Sequence, residues 1–544
     1  MAIARRLYLY LVVGIALAVW ATGTVRLLRA LFFALWEFLA QPATAGDPEA
    51  FRRQLSVSVA LLVVAFPIWA VHWWLLLREI TADPTERRSA LRSLFLTLVL
   101  LVTFGFWLSS GVELLRLTLL GLLGVADSME VSVPRALEEL ALLLVTGALW
   151  LGHARLARAE RRMVSLEGAA DWLPRLYGYG AAATGLTLLV VGIANLLQTM
   201  LDVLLTPVVV TGTIRFPLAT FTAFAIGGLV AWGLHWGEAL RLVADAFPAG
   251  ERERHSLVRW TYLGLAVFAG LAGLLVALAA SLNAILRWML GVPDEETLQR
   301  LRQLLSPWAW VIPLVLVWWY HRVTMQREAA VLARHPRAGP DWALGVTRLL
   351  VYLSTFAGLL LAVLGTGGLV GLLLRALVAA ATGTTLGNWR EDLAFTVSLS
   401  VVGGAAWLAL WREVALRTLR QPEAERTSLS RRVYLYGTLG LSVLALLGTA
   451  GYVVYQLVSW LFGLLSLTSA LSDAAPAFGV TLVVLGVLIS HLTVLMHDAR
   501  AIAPRPVTQT VRLVLRLPPE SDVDAVVREL AGHLPPGAAL ERAT

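Results

Sequence analysis

Apolar runs follow one another along the first 500 residues of this chain, and most of them are long enough to cross a membrane. About 20 apolar residues in an α-helix span the hydrocarbon core of a bilayer. The composition agrees, because 58% of the residues are hydrophobic and the mean hydropathy is +0.74, whereas roughly half of a soluble protein is apolar. The sequence therefore predicts an all-α transmembrane fold, with lipid as the main solvent.

A repeated segment divides these runs into six tandem units. Arg6-Leu-Tyr8-Leu-Tyr10 recurs at Arg175 and at Arg432, and weaker copies begin near Arg92, Arg259 and Arg348. The copies start at roughly 85-residue intervals. The repeat also argues against reading the apolar N-terminus as a signal peptide. The predicted units are residues 1–86, 87–171, 172–254, 255–340, 341–427 and 428–500, followed by a tail at 501–544.

Each unit holds two apolar runs, a longer first run (A) and a shorter second run (B). Two crossings per unit give about twelve helices, arranged as six parallel hairpins. Such hairpins form either an open row or a closed, pseudo-sixfold ring, and we expect the ring, with the B helices inside because they carry Gly227, Gly228, Gly403 and Gly404. Gly367-x3-Gly371 indicates another close helix approach.

Arginine is concentrated in the loops that join each B run to the next A run. The A-to-B loops are richer in acids, at Asp47, Glu49, Asp127, Glu130, 294–296 and Asp473. The positive-inside rule then predicts a bacterial cytoplasmic membrane protein with both termini in the cytoplasm. The basic face indicates anionic lipid headgroups as partners. It does not indicate nucleic acid, because the charge is dispersed over helix ends.

Residue types that are absent exclude several chemistries. All 44 basic residues are arginine, and there is no lysine or cysteine. Schiff-base, thiolate and Cys-ligated metal chemistry are thereby excluded, and no catalytic motif such as HExxH or GxSxG occurs. No metal site is expected, and no cofactor can be named from the sequence.

The B runs share a Trp-x-x-His signature near their predicted cytoplasmic ends. Unit five has Leu410 in place of the histidine. Because positions i, i+3 and i+4 share one helix face, the groups form a layer that is either a proton relay or ligand site or an interfacial aromatic belt. The candidate residues are His72, His153, His235, His321, His491, Trp69, Trp73, Trp232, Trp236 and Trp318.

A second polar layer occurs late in the A runs, toward the opposite membrane face. Snorkelling side chains explain it, and the alternative is a vestibule for a solute or ion. The candidate residues are Arg29, Glu113, Arg116, Asn195, Gln198, Asp202, Asn283, Arg287, Arg375 and Gln456.

The tail changes to a soluble composition. Residues 511–517 alternate between apolar and polar side chains as in a β-strand. Ser521-x-x-Asp524 can cap a short helix that reaches Leu534. The tail is therefore expected to be a small cytoplasmic β-α appendage that engages a protein partner.

The Arg-x-Tyr-x-Tyr starts and Trp-x-x-His-Trp second helices resemble an uncharacterised bacterial integral membrane family, a domain of unknown function. The resemblance covers residues 5 to about 500 and implies paired membrane helices without a known activity. Three functions stay open. The expected one is a non-enzymatic scaffold, sensor or assembly factor, and the alternatives are a transporter or channel for a lipid-like or small solute, and a cofactor-binding enzyme or electron carrier that uses the histidines.

Overall fold

The computed structural model describes most of the chain, and the described part is helical, with no β-strand. The described residues are 3–40, 48–125, 133–164, 166–205, 211–244, 249–292, 297–334, 342–502 and 515–534. Residues 1–495 form one compact unit and residues 496–544 a second, smaller one.

Twelve long helices in the described residues are apolar enough to cross a membrane, which confirms the predicted number. Six A helices alternate with six B helices. The A helices are α1 (Ile3–Ala40), α3 (Ala90–Leu122), α5 (Ala169–Leu205), α8 (Leu257–Met289), α10 (Trp342–Thr382) and α13 (Leu429–Leu461). The B helices are α2 (Pro48–Ala82), α4 (Val133–Met163), α6 (Thr211–Ala244), α9 (Thr297–Arg334), α11 (Trp389–Arg420) and α14 (Leu467–Ile502).

Short helical segments follow every second B helix. They are a 3₁₀ turn at Pro84–Arg88, α7 at Ala249–Arg254 and α12 at Pro422–Arg426. We call the membrane side where they lie the B-to-A face, and the opposite side the A-to-B face. The recurrence groups the long helices into three quartets, namely quartet I (α1–α4), quartet II (α5, α6, α8, α9) and quartet III (α10, α11, α13, α14).

The A helices α1, α3, α5 and α8 each pack against the B helix that follows and against both helices of the next pair. Thus α3 contacts α4, α5 and α6, and α8 contacts α9, α10 and α11. Three buried apolar clusters contain Val13, Leu263 and Leu435, and the first two extend into the next quartet through Tyr177 and Leu350.

The closed ring with inner B helices is not confirmed. No extended contact joins α1 or α2 to α13 in the described residues. The most buried helices are the A helices α3 and α8, in which 50% and 44% of the most apolar window is buried, against at most 28% in any B helix. Each of these two A helices contacts two B helices.

Glycines bring some helix pairs into backbone contact. A Cβ on Gly228 of α6 would lie 2.3 Å from the Leu189 backbone nitrogen of α5. A Cβ on Gly371 of α10 would lie 2.6 Å from the Pro476 Cα of α14. These contacts match the expected role of Gly228 and of the Gly367-x3-Gly371 segment in close helix packing.

The second unit contains one short helix, α15 (Val523–Gly532). Its N-cap is Asp522, which accepts hydrogen bonds from the Asp524 and Ala525 backbone nitrogens. Ser521, the predicted cap, lies one residue too early. The predicted strand is not confirmed, because residues 515–517 are irregular and 511–514 lie outside the described residues, as do the predicted loop acids Asp47, Asp127, Glu130 and 294–296.

Candidate functional site

A Glu-Arg-x-Ser-x-x-Arg segment occupies the B-to-A junction inside every quartet. The three copies are Glu86–Arg92, Glu253–Arg259 and Glu425–Arg431. In each copy the glutamate lies in a short helical segment, the serine is the N-cap of the next A helix, and the last arginine lies in its first turn. The Ser89 hydroxyl accepts a hydrogen bond from the Arg92 backbone nitrogen, as N-cap serines do.

The buried glutamate of this segment binds the Arg-x-Tyr-x-Tyr start of the preceding A helix. In quartet II, the Arg175 Nε donates to Glu253 at 2.7 Å and the Tyr179 hydroxyl donates to it at 2.6 Å. Arg6 and Tyr10 bind Glu86 in quartet I, at 2.9 and 3.1 Å, and Arg348 and Tyr352 bind Glu425 in quartet III, at 3.3 and 2.7 Å. The repeated start is thus an anchor for the linker glutamate.

In quartets I and II, the arginine that ends the segment reaches a carboxylate on the B helix that follows. Arg259 is fully buried and donates to both oxygens of Glu328, at 2.8 and 2.5 Å, and to the Tyr179 hydroxyl at 2.8 Å. Arg92 binds Glu160 in the same bidentate way, at 3.1 and 2.5 Å. We call the Arg, Tyr, Glu, Arg and Glu of a quartet its buried ion-pair cluster. Since each cluster joins two helix pairs, it fixes their register.

Asp83 and Arg6 form a further ion pair at the edge of the cluster in quartet I. Asp83 caps the 3₁₀ turn of quartet I and accepts hydrogen bonds from the Thr85 hydroxyl and backbone nitrogen. These bonds lower the pKa of Asp83. Asp83 therefore stays ionised beside Arg6, whose guanidinium lies 3.6 Å away.

Four of the five candidate histidines contact a tyrosine of their own helix pair. The hydroxyl–Nε2 distances are 3.2 Å for Tyr8–His72, 3.0 Å for Tyr177–His235, 3.3 Å for Tyr262–His321 and 3.0 Å for Tyr434–His491. In each case Nδ1 lies 2.8–2.9 Å from the carbonyl four residues earlier. A carbonyl only accepts, so Nδ1 carries the proton and Nε2 accepts from tyrosine in the neutral ring.

Two units depart from this pairing. In quartet I, Phe95 stands three residues after Arg92, where Tyr262 stands after Arg259 and Tyr434 after Arg431, and His153 packs edge-on against Trp73. In quartet III, Leu350 and Leu410 replace the tyrosine and the histidine together. Unit five thus lacks both members of the pair, whereas unit two keeps the histidine without the tyrosine.

The candidate tryptophans fill the space around these pairs. Trp232 donates to the Tyr262 hydroxyl at 3.1 Å, and Trp236 donates to Tyr320 at 2.7 Å. Trp69 stacks on Trp73. The indole nitrogens of Trp69 and Trp318 are buried and have no hydrogen-bond partner in the part of the chain that the structure describes.

Most members of the second polar layer bind each other or a neighbouring helix near the A-to-B face. The pairs that join two helices are Arg29–Glu138 (2.5 Å), Gln198–Ser306 (3.2 Å), Asp202–Arg302 (2.7 Å), Arg287–Glu391 (3.3 Å) and Arg375–Asp392 (2.8 Å). Within single helices, Arg116 binds Glu113, Gln456 binds the Tyr452 hydroxyl, and Asn195 donates to the Val191 carbonyl.

A cavity of about 980 Å³ between α5, α8 and α9 contains three of these predicted residues, Gln198, Asn283 and Arg287. The buried Oδ1 of Asn283 accepts no hydrogen bond from any described residue. The other predicted vestibule residues do not line this cavity. The described residues contain no group of three or more metal-ligating side chains.

The three quartets correspond to three matches of one family model, described as a domain of unknown function (DUF5671). The matches cover residues 6–138, 175–316 and 348–510. The chain belongs to the DUF5671 family. Each match begins at the arginine of an Arg-x-Tyr-x-Tyr start or its weaker copy, so the matches recur once in every two helix pairs. The first two matches end within α4 and α9. No curated protein and no solved structure matches the chain.

The glutamates of the buried ion-pair clusters were not among the predicted site residues. Glu86, Glu253 and Glu425 bind the tyrosine starts, and Glu160 and Glu328 bind the buried arginines. The signal that identifies the first three is the threefold Glu-Arg-x-Ser-x-x-Arg segment. This segment occurs once in every two helix pairs, so it is not recognised when the chain is divided into repeats of one pair.

Proposed function

We propose that this DUF5671 protein is a non-enzymatic membrane scaffold, sensor or assembly factor whose arginine-rich B-to-A face binds anionic lipid headgroups. The observation that carries the proposal is how the membrane helices use their charges. Arg92 and Arg259 are consumed by bidentate carboxylate pairs that join helices. A transporter that couples to an ion needs an acid at the midplane that can change partners.

Exposed positive charge is concentrated at the ends of the B helices. Arg155, Arg158, Arg162, Arg241 and Arg420 lie there with exposed side chains. Each arginine near an anionic leaflet contributes about 1 kcal/mol of attraction. By the positive-inside rule this face is cytoplasmic in a bacterial cytoplasmic membrane, and both termini lie on the same side.

We further propose that the helix pairs form an open row built from the six predicted hairpin units, grouped in twos. The continuous contacts from α1 to α13 support the row. The grouping is supported by contacts between the two helix pairs of a quartet, because Glu86 and Glu253 bind Tyr10 and Tyr179 of the preceding pair. Arg259 also donates to Tyr179. The C-terminal tail is proposed to bind a protein partner of its own.

A transporter for a small polar solute is the second candidate, and the cavity at Gln198, Asn283 and Arg287 is the observation that favours it. It is lined by amides and arginines and lies among membrane helices. A conducting path would have to continue from it toward the B-to-A face.

Reconstitution separates the two candidates. Vesicles of mixed zwitterionic and anionic phospholipid would be used, and the lipid retained by the purified protein would be measured by native mass spectrometry. The scaffold predicts enrichment of anionic phospholipid that falls with added salt, together with no flux of a panel of small solutes. Flux of any solute above that of protein-free vesicles would favour the transporter and contradict the scaffold.

A further inference from the structure

The junction between quartets I and II encloses a cavity of about 170 Å³ near the B-to-A face. Arg158 and Arg161 of α4 form one wall. His235 and Arg241 of α6 lie on another, with Arg175 of α5 nearby. The lining contains four arginines and two glutamates, so four positive and two negative charges leave an excess of two positive charges.

Arg161 is the lining arginine whose positive charge is available to a ligand. Arg175 is bound to Glu253 and to Asp171, and Arg241 lies 3.6 Å from Glu238. Arg161 makes no hydrogen bond or ion pair with any residue that the structure describes. Glu238 and Glu253 in the lining are already paired with Arg241 and Arg175. The half-buried Arg161 guanidinium therefore favours an anion in the cavity, because burial strengthens charge-assisted hydrogen bonds.

A fixed hydrogen-bond chain forms the floor of the cavity. The Trp150 indole nitrogen donates to the Tyr177 hydroxyl at 2.6 Å, and Tyr177 contacts His235 Nε2 at 3.0 Å. His235 Nδ1 lies 2.9 Å from the Ala231 carbonyl. Each link is satisfied, so this chain holds the two quartets in place and leaves ligand binding to the arginines.

The junction between quartets II and III provides an internal comparison. There α8 packs against α10 and α11 as α3 packs against α5 and α6. Counted from the equivalent Trp-x-x-His, Arg-x-Tyr-x-Tyr and Glu positions, four polar residues of the first junction are replaced by apolar ones. Arg161, Tyr177, His235 and Arg241 correspond to Ala329, Leu350, Leu410 and Leu416. Helix packing therefore does not require this polar set.

The position and size of the cavity identify the class of anion. Arg161 is two residues before the end of α4 at Met163, which puts it at headgroup depth in a membrane. The cavity volume of about 170 Å³ far exceeds the roughly 10–15 Å³ that one water molecule needs. A phosphate group is compact enough, and guanidinium groups bind phosphate oxygens through paired N–H donors.

We propose that this cavity binds one phosphate group, with Arg161 as the main ligand and Arg158 and Arg241 closing the site. The proposal rests on the proposed function, since it names one specific site on the arginine-rich face. An anionic phospholipid headgroup and a soluble phosphate share this chemistry. The junction of quartets II and III lacks the site.

The test compares the full-length protein with Arg161→Ala, which installs the residue found at the second junction, and with the neighbouring exposed Arg162→Ala as control. In one arm, nanodiscs contain a zwitterionic phospholipid with a minor fraction of phosphatidylglycerol, and tightly held lipid is counted by native mass spectrometry. In the other, zwitterionic micelles receive inorganic phosphate and thermal unfolding is followed. Arg161→Gln is a second variant in case the alanine variant folds poorly.

A lipid ligand predicts that Arg161→Ala weakens retention of one phosphatidylglycerol by about 10- to 100-fold, while Arg162→Ala keeps it. A soluble ligand predicts that phosphate raises the unfolding temperature of the wild type and of Arg162→Ala only. Equal behaviour of all variants in both arms would overturn the site. If the wild type shows no general enrichment of anionic lipid but its response to phosphate depends on Arg161, the proposed function is refuted and the site is retained.

Discussion

Glu328→Gln tests how strongly the buried ion-pair clusters hold the helix pairs together. Arg259 is fully buried, and four of its hydrogen bonds are made to Glu328, Tyr179 and the Ala239 carbonyl. Its guanidinium also lies 5.0 Å from the Trp236 ring. The substitution leaves a buried cation without its carboxylate.

Removing one partner of a buried ion pair costs about 3–5 kcal/mol, whereas an exposed pair contributes about 0–1 kcal/mol. We therefore expect Glu328→Gln to lower the free energy of unfolding by about 3–5 kcal/mol. The double variant Arg259→Met, Glu328→Leu removes both charges and is expected to recover most of that loss. Glu49→Gln, in the exposed pair with Arg53, is the matched control.

Unfolding would be followed by tryptophan fluorescence during titration of mixed micelles with SDS, since the chain has 21 tryptophans. A loss below about 1 kcal/mol for Glu328→Gln, equal to that of the exposed control, would refute the reasoning. A double variant less stable than the single one would also contradict it.

Two further substitutions test helix packing and the tyrosine–histidine pairs in the same assay. Gly228→Ala puts a Cβ 2.3 Å from a backbone nitrogen of α5 and should lower the free energy of unfolding by about 1–3 kcal/mol. The control Gly233→Ala, whose Cβ would have no neighbouring atom within 4 Å, should be neutral or stabilising. Equal losses of stability in the two variants would contradict the close approach. Tyr262→Phe removes the hydroxyl partner of the Trp232 and His321 ring nitrogens and should lower the free energy of unfolding by about 1–3 kcal/mol. The exposed Tyr436→Phe should be neutral. No difference between the two variants would show that the tyrosine–histidine pair is not a stabilising contact.

The number of crossings could be predicted from the sequence because run length alone decides whether a helix can span lipid. The recurrence of a histidine at one position of the B runs was also visible in the sequence. The partners of these histidines were not, since Tyr262 and His321 are far apart in the chain and meet only through packing.

The register of the repeat in the sixth helix pair could not be assigned from the sequence pattern alone. The Arg-x-Tyr-x-Tyr pattern aligns Arg432 with Arg6, but the residue equivalent to Arg92 and Arg259 is Arg431, which lies 3.4 Å from Tyr352. Odd and even helix pairs use different arginines because they take opposite roles in one cluster. A pattern that treats all six pairs alike cannot separate these roles.

Central to this account is that all B-to-A junctions lie on one side of the membrane and all A-to-B junctions on the other. The chain has no cysteine, so single cysteines can be placed at Thr85, Arg162 and Glu423 on the B-to-A face and at Thr384 and Ser466 on the A-to-B face, all of them exposed. Labelling of oriented vesicles with a membrane-impermeant maleimide should modify the first three from one side only and the other two from the opposite side only. Labelling of Thr85 and Glu423 from opposite sides would contradict the parallel arrangement of the helix pairs.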